Sequence, residues 1–412
     1  LLANTERFYL MDCLSADLAW SDFDAATTGS YPNSQQTEAP THRVENDLNY
    51  IRRTGNRTLT VTSNLLWLTQ PQQLDVVREG SAQRQRLDAD LLRMNHNVAW
   101  GLGAGRRWSF QFKGGIAALY RRFDSALSGL GVETSAPLAA DTRFGYGSLY
   151  LRPTATWRTQ RLRLMLSASG AAGEQGADDS SIYPVALLRD YRTLSSGAAA
   201  PVSTPVRMLM AGANYKNPLS GIFAHLFLQR SWYDLPWLAT QDFEGDYIVS
   251  GQLRGANRMA WSLSTGMSTN IDALHGQAGV DLAWSDTRME VCQQGVRMPY
   301  RSGVLTLSPR VNLRAARWLN VEYTFNYRYT QLRIESAAPT DRHAFDQRLQ
   351  LNFMPAKNLV LQLTGEHYRT QLSDTRSKHL ILADVSLRWK AGLRWEFFAS
   401  AANLLNETEY AY

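Results

Sequence analysis

The sequence predicts an all-β protein: an antiparallel, up-and-down transmembrane β-barrel. Three observations predict it. Apolar and polar residues alternate with period two along runs longer than ordinary soluble strands. Short and long connections alternate along the whole chain. Tryptophans gather beside the short connections.

The clearest run is RVNLRAARWLNVEYTFNYRYT, residues 310–330. Before a short break, Val311 and Leu313 alternate with Arg310, Asn312 and Arg314. After it, Leu319, Val321, Tyr323, Phe325, Tyr327 and Tyr329 alternate with Asn320, Glu322, Thr324, Asn326 and Arg328. On a strand, such alternation places one row on each face. Further on, Leu349, Leu351 and Phe353 oppose Arg348, Gln350 and Asn352, and Leu359, Leu361 and Leu363 oppose Gln362, Thr364 and Glu366. Ile381 to Trp389 then oppose Asp384, Ser386 and Arg388, and Trp395 and Phe397 oppose Glu396. Strands are expected near 5–22, 43–53, 57–69, 84–103, 107–122, 143–157, 160–172, 203–215, 221–232, 257–269, 273–287, 301–314, 318–332, 343–354, 358–370, 378–390 and 393–404.

The connections fall into two classes. The short ones are RRTGN (52–56), GAGRR (103–107), RTQ (158–160), NPLSG (217–221), NIDAL (270–274), RAARW (314–318), MPAKN (354–358) and KAG (390–392). The long, polar ones are expected near 23–42, 70–83, 123–142, 173–202, 233–256, 288–300, 333–342 and 371–377. In a meander, alternate turns lie at opposite ends, so one end carries tight turns and the other long loops. That asymmetry is a feature of outer-membrane barrels. SGAAAPVSTP (196–205) reads as part of a long loop rather than a linker.

A soluble β-sandwich alternates too. Strand length separates the two, because soluble strands average about 5–6 residues and spanning strands need about 9–11. So does aromatic placement. Trp108, Trp157, Trp318, Trp389 and Trp395 all lie within a few residues of a short turn, as an interfacial girdle would. Trp284 with Tyr323 to Tyr329 approaches the other end. The apolar row is then expected to face lipid. The opposite row, with Arg310, Arg314, Glu322, Arg328, Arg348, Glu366, Asp384, Arg388 and Glu396, is expected to face a wet or plugged lumen, since charges of both signs cannot sit unpaired in a dry core.

Composition excludes several alternatives. Lys+Arg 43 against Asp+Glu 37 over 412 residues is a mild, scattered basic excess, without a nucleic-acid footprint. No apolar run is long enough for a transmembrane helix. Cys13 and Cys292 read as two lone thiols, and no zinc spacing exists. GLGAGR (101–106) sits between strands and is a tight turn, not a nucleotide loop. Glu366 and His367 are neighbours on a strand, so they point to opposite faces and form no dyad. No enzyme, cofactor or metal is expected. The opening LLANTERFYL has no basic n-region or apolar h-region, so it is expected to be an internal start rather than a signal peptide.

The terminal stretch AANLLNETEYAY (401–412) resembles the N-L-F-[ND]-x-x-Y element that precedes the last strand of TonB-dependent outer-membrane receptors. Asn403, Leu404, Leu405, Asn406 and Tyr410 carry the match, with Leu405 where phenylalanine is usual. RDYRTL (189–194), GDYIVSGQL (245–253), MPYRSGVLTLSPRVNLRAARWLNVEY (298–323) and FDQRLQLNFMPAKNLVLQLTGEHY (345–368) resemble the large receptor-type barrels of the Bacteroidales. The resemblance implies a barrel of about 22 strands, plugged by an N-terminal domain. It implies nutrient import across the bacterial outer membrane, energised by the partner TonB. Residues 1–412 would then be a partial barrel domain, without the plug, the first strands and the last strand. Implied partners are outer-membrane lipid, the TonB complex acting through that plug, a surface lipoprotein, and a small-molecule, glycan or peptide ligand; no nucleic acid is expected. Ligand contacts are expected on the long-loop side, where QRSWYDLPWLATQDFEGDYIV (229–249) carries Trp232, Tyr233, Trp237, Phe243 and Tyr247. The alternatives are a passive outer-membrane channel or structural barrel, and a soluble β-rich surface protein.

Overall fold

The computed structural model describes residues 2–5, 7–27, 33–38, 40–78, 81–129, 142–159, 162–175, 187–188, 193–195, 204–234, 237–244, 247–335, 338–373, 375–392 and 394–406. They form β1 (Leu2–Asn4), β2 (Phe8–Ala19), β3 (Asp22–Thr27), β4 (Asn33–Glu38), β5 (Thr41–Thr54), β6 (Arg57–Arg78), β7 (Ser81–Ala104) and β8 (Trp108–Gly129). Next come β9 (Thr142–Arg158), β10 (Arg163–Gln175), β11 (Leu187–Leu188), β12 (Thr193–Ser195), β13 (Thr204–Asn217), β14 (Ile222–Tyr233), β15 (Trp237–Glu244) and β16 (Tyr247–Arg254). The last are β17 (Arg258–Ile271), β18 (Gly276–Gln293), β19 (Val296–Ala316), β20 (Leu319–Ile334), β21 (Thr340–Ala356), β22 (Leu359–Ser373), β23 (Arg376–Ala391) and β24 (Trp395–Ala401).

One antiparallel meander runs from β1 through β2, β5 to β10, β13, β14 and β17 to β24, each strand paired with the next. Each of the seventeen expected strands has its counterpart in this run, and β1 is an addition that its three residues were too short to announce. Among the described residues no ladder joins β24 back to β1 or β2.

The short turns lie where the sequence placed them. At Gly55 and Gly105 the backbone is left-handed, with φ of 57° and 67°, which glycine adopts without a Cβ clash. The long connections differ from expectation. Segment 70–83 is strand almost throughout, because β6 and β7 pair from Arg57↔Leu102 out to Arg78↔Ser81. Segment 288–300 is a tight hairpin: β18 and β19 pair out to Gln293↔Val296 around Gln294 and Gly295, both at positive φ, as two-residue hairpins of this hand require. Segment 371–377 is mostly ladder as well. The reason is physical. Away from an apolar surrounding both faces of a strand can be polar, so alternation vanishes from the sequence while backbone pairing continues. Segments 23–42 and 233–256 hold the hairpins β3–β4 and β15–β16. β4 pairs with the distal half of β6, and β15 runs parallel to the end of β18. Much of the loop expected at 123–142 and 173–202, including most of SGAAAPVSTP, lies outside the described residues.

Length and burial set this sheet apart from a sandwich. β6, β7 and β8 hold 22, 24 and 22 residues, about 70–80 Å at roughly 3.3 Å per residue. The buried apolar side chains among the described residues are Leu66, Ala99, Leu238 and Cys292. Among the described residues no second layer covers the sheet. Leu14, Ile116, Leu151 and Leu209 stand 71%, 61%, 64% and 57% exposed, a surface that would not stay monomeric in water.

Candidate functional site

The register sorts every strand of the meander into two continuous faces. On one, Arg310 stands opposite Thr324, Thr324 opposite Arg348, and Arg348 opposite Glu366. The row beside it runs Gln277, Asn312, Glu322, Gln350, Thr364 and Asp384. By the same parity Arg314, Arg328, Arg388 and Glu396 join this face, so all nine residues picked from the alternation share it.

Their partners are neighbouring strands. Arg310 bonds Asp281 of β18 at 2.8 Å, and Arg348 meets Glu366 at 3.5 Å. Glu366 also accepts the Tyr368 hydroxyl at 2.7 Å. Arg388 pairs with Glu396. Asp384 accepts the backbone N–H of Asn403 at 2.8 Å, and Arg314 donates to the carbonyl of Arg317. Glu322 and Arg328 are placed by register alone.

Other polar groups on this face were not singled out by the sequence. Asn97 donates to Thr62 at 3.3 Å and accepts the Tyr150 hydroxyl at 2.6 Å. This crossing needs Gly115: a Cβ there would lie 2.3 Å from Asn97 Oδ1 and 2.7 Å from the Tyr150 ring. A serine ladder made of Ser167, Ser169, Ser262 and Ser264 lines, with Arg152 and Gln229, a pocket of 230 Å³. Arg258 stacks over Tyr233 at 4.8 Å, and its Nε has no acceptor. Sequence position alone cannot reveal such pairings, which depend on which residues lie equally far from each turn.

The opposite face is apolar through its middle and differs at its two ends. Near the short turns, rings pair across strands: Trp100 with Phe112, Trp108 with Trp157, Trp318 with Phe353, and Trp389 with Phe397. Trp395 stands on the same row. Toward the long loops, Trp284 and Tyr329 flank Leu305 in one row, and charges appear. Asp286 bonds Arg301 at 2.6 Å and meets Arg288 at 3.6 Å. The Arg230 guanidinium lies 4.7 Å from both Trp232 and Trp261.

Histidines distant in sequence meet on this face. Gln347 bonds the ring of His367 at 2.9 Å, and His367 bonds that of His379 at 3.2 Å. His343 meets the Tyr327 hydroxyl close by, at 2.7 Å. Three histidines far apart in sequence gather because β21, β22 and β23 are in register. Glu366 and His367 do face opposite ways. Among the described residues no cluster of His, Cys, Asp or Glu is placed to hold a metal, and Cys13 and Cys292 are both free.

Long strands, an uncovered apolar face, a ring-lined edge beside the tight turns and a charged opposite face decide the architecture. The fold is an up-and-down antiparallel sheet of the outer-membrane barrel kind. The five aromatics of 229–249 fall on three strands. Trp232 and Tyr233 are adjacent on β14 and face opposite sides. Trp237 and Phe243 sit on β15, with backbone partners Arg254 and Ile248; Tyr247 opens β16 opposite Glu244. Phe243 is exposed. Asn403 and Asn406, from the terminal motif, form a turn at φ 53° and 54° closed by a 2.9 Å backbone bond. Asparagine tolerates that conformation. Tyr410 lies outside the described residues, as do residues 189–192 of RDYRTL and 245–246 of GDYIVSGQL.

No family model matches the chain, and no curated protein does. Solved structures do resemble it. The copper transporter OprC aligns over 98% of this chain and 73% of its own, at 10% identity and a TM-score of 0.49. A mutant of the ferric enterobactin receptor PfeA of Pseudomonas aeruginosa aligns over 98% and 76%, at 11% identity and 0.36. OmpT, an outer membrane protein of Vibrio cholerae, aligns over 90% and 89%, at 8% identity and 0.32. At these values the likeness says nothing about a ligand.

Proposed function

We propose that this chain forms wall strands of a nutrient importer in the bacterial outer membrane, a receptor of the TonB-dependent kind. The observation that supports it best is two-sidedness. One face is apolar and uncovered, as a lipid-facing wall must be. The other is a continuous polar field, in which Arg310, Arg314, Glu322, Arg328, Arg348, Glu366, Asp384, Arg388 and Glu396 line the lumen. Strands continuing past the membrane would carry the ligand platform, with Phe243 and its hairpin at the outer mouth. Coupling through an N-terminal plug to TonB, and a surface lipoprotein lid, follow from the resemblance of 401–412 and 298–368 to such receptors. A passive channel is the second reading, since a polar lumen serves diffusion equally well.

Energy dependence separates the two. Growth of a deletion strand-for-strand complemented with the intact gene would be followed on limiting nutrients, with and without a protonophore or a TonB deletion. An importer loses uptake in both conditions. Uptake that survives both belongs to a passive channel. Absence of the protein from the outer-membrane fraction, or no heat-modifiable gel mobility, overturns the membrane reading itself.

A further inference from the structure

On the apolar face, Arg230 is a cation without a counter-charge among the described residues. Arg230, on β14, is clamped between the rings of Trp232 and Trp261. Its Nη2 reaches only the Met259 sulfur, at 3.1 Å, and its Nε has no acceptor. Among the described residues no carboxylate pairs with it. A lone guanidinium beside lipid is costly, and thioether sulfur is a weak acceptor. The two rings flank the guanidinium, and its Nη1, unlike the buried Nε, is left for an anion.

The surroundings say which anion. Trp232 stands opposite Arg207, and Arg230 opposite Leu209. The two arginines are therefore diagonal neighbours whose strand positions lie about 7–8 Å apart, close enough for side chains of this length to reach one phosphate group. Arg207 bonds Asp234 at 2.7 Å and has no other acceptor among the described residues. Directly beneath this pair the same face opens into a groove of 510 Å³. Leu149 and Leu151 form one wall, Leu209 and Trp232 the other, and Gly170 and Ala172 the floor. Small floor residues between large flanking ones make a channel of acyl-chain width. Charge at the rim and a greasy trough below match a lipid, not a soluble anion.

We propose that this site binds one phosphorylated lipid of the leaflet on the long-loop side, its phosphate monoester held by Arg230 and Arg207 and an acyl chain laid in the groove. The proposal rests on the reading of this face as lipid-facing. Heat-modifiable mobility and membrane fractionation test that reading separately.

The test is native mass spectrometry of the intact protein in dodecyl maltoside, titrated with diphosphoryl lipid A. The expected result is one retained lipid at micromolar concentration. Arg230→Gln should weaken retention at least tenfold. Arg369→Gln, which removes an equally exposed-face cation stacked on Phe345 at 6.0 Å, should leave it unchanged. Gly170→Leu keeps every charge and fills the groove. It should abolish lipid retention, and it guards against misfolding of the arginine variant, since a Cβ at Gly170 meets only Leu209, at 3.6 Å. Phosphatase-treated lipid A should bind at least tenfold more weakly. Equal losses in the Arg230 and Arg369 variants would overturn the proposal, as would inorganic phosphate competing at micromolar concentration or retention indifferent to Gly170→Leu.

Discussion

The two ends of the apolar face are built from the same residue type used in opposite ways. Near the tight turns tryptophan leans on other rings: Trp389 lies 5.4 Å from Phe397 and Trp318 6.0 Å from Phe353. Near the long loops tryptophan leans on a cation, with Arg230 held between Trp232 and Trp261. Ring-on-ring pairs suit a boundary of ordinary headgroups, where an amphipathic ring is wanted and extra charge is not. Cation-on-ring pairs, with Asp286, Arg288 and Arg301 beside them, suit a boundary rich in fixed anionic charge. The difference teaches that the sheet has a chemical direction as well as a topological one. Between the ends lies the apolar band.

That band gives the largest expected effect. Ile116 stands in its middle, between His96 and Leu149 in register. Ile116→Arg should destabilise folding into vesicles by about 2–4 kcal/mol, whereas the same charge near a bilayer surface costs about 0–1 kcal/mol. Ser377→Arg, on the same face at the long-loop end, is the matched control. Urea-dependent refolding into phosphatidylcholine vesicles, read by heat-modifiable mobility, measures both. Equal costs at the two sites would erase the distinction between band and rim.

The next effect sets one face against the other. Gly115, on the polar face, admits no Cβ, because Asn97, Tyr150 and the carbonyl of His96 all lie within 2.9 Å of where it would go. Gly365, on the apolar face, has nothing within 4 Å. Gly115→Ala should cost about 1–3 kcal/mol through overpacking and the lost Tyr150 bond, while Gly365→Ala should be neutral or slightly stabilising. The same refolding assay decides it. A neutral Gly115→Ala would mean that the Asn97–Tyr150 crossing is not a fixed part of the polar face.

Most of the wall was legible from alternation, because the membrane-facing stretch of a strand must be greasy on one side only. The nine charged residues from Arg310 to Glu396 fell on one face for that reason. What lay beyond the apolar band was not legible. QPQQLDVVR reads as loop and is strand, since water on both faces leaves no periodicity to read. Trp232 and Tyr233 lie on opposite faces of the sheet, which period two itself implies once β14 is extended to Tyr233. The Gln347–His367–His379 chain needed hairpin register, which the shift between Phe353 and Ala356 displaces from the centre of the 354–358 turn. Arg230 was the hardest to see. Its meaning depends on Trp261, which reaches it only when β14 pairs with β17 across the intervening β15–β16 hairpin.

The smallest effect compares two aspartates on one strand. Asp281 and Asp286 lie on opposite faces of β18. Asp286 is nearly buried against Arg301 at 2.6 Å, while Asp281 meets Arg310 at 2.8 Å with both side chains well exposed, 37% and 59%. The exposed pair is solvated in the folded state, so its coupling should be about 0.2–1 kcal/mol. It should also shrink as ionic strength rises and the Debye length falls. A double-mutant cycle on Asp281→Asn and Arg310→Gln, run at low and high salt, reads the coupling directly. The Asp286–Arg301 pair, whose carboxylate is nearly buried, should lose less of its coupling across the same range. Salt-independent coupling at Asp281–Arg310 would mean that the polar face is dry there, and would argue for a plugged rather than a water-filled interior at that level.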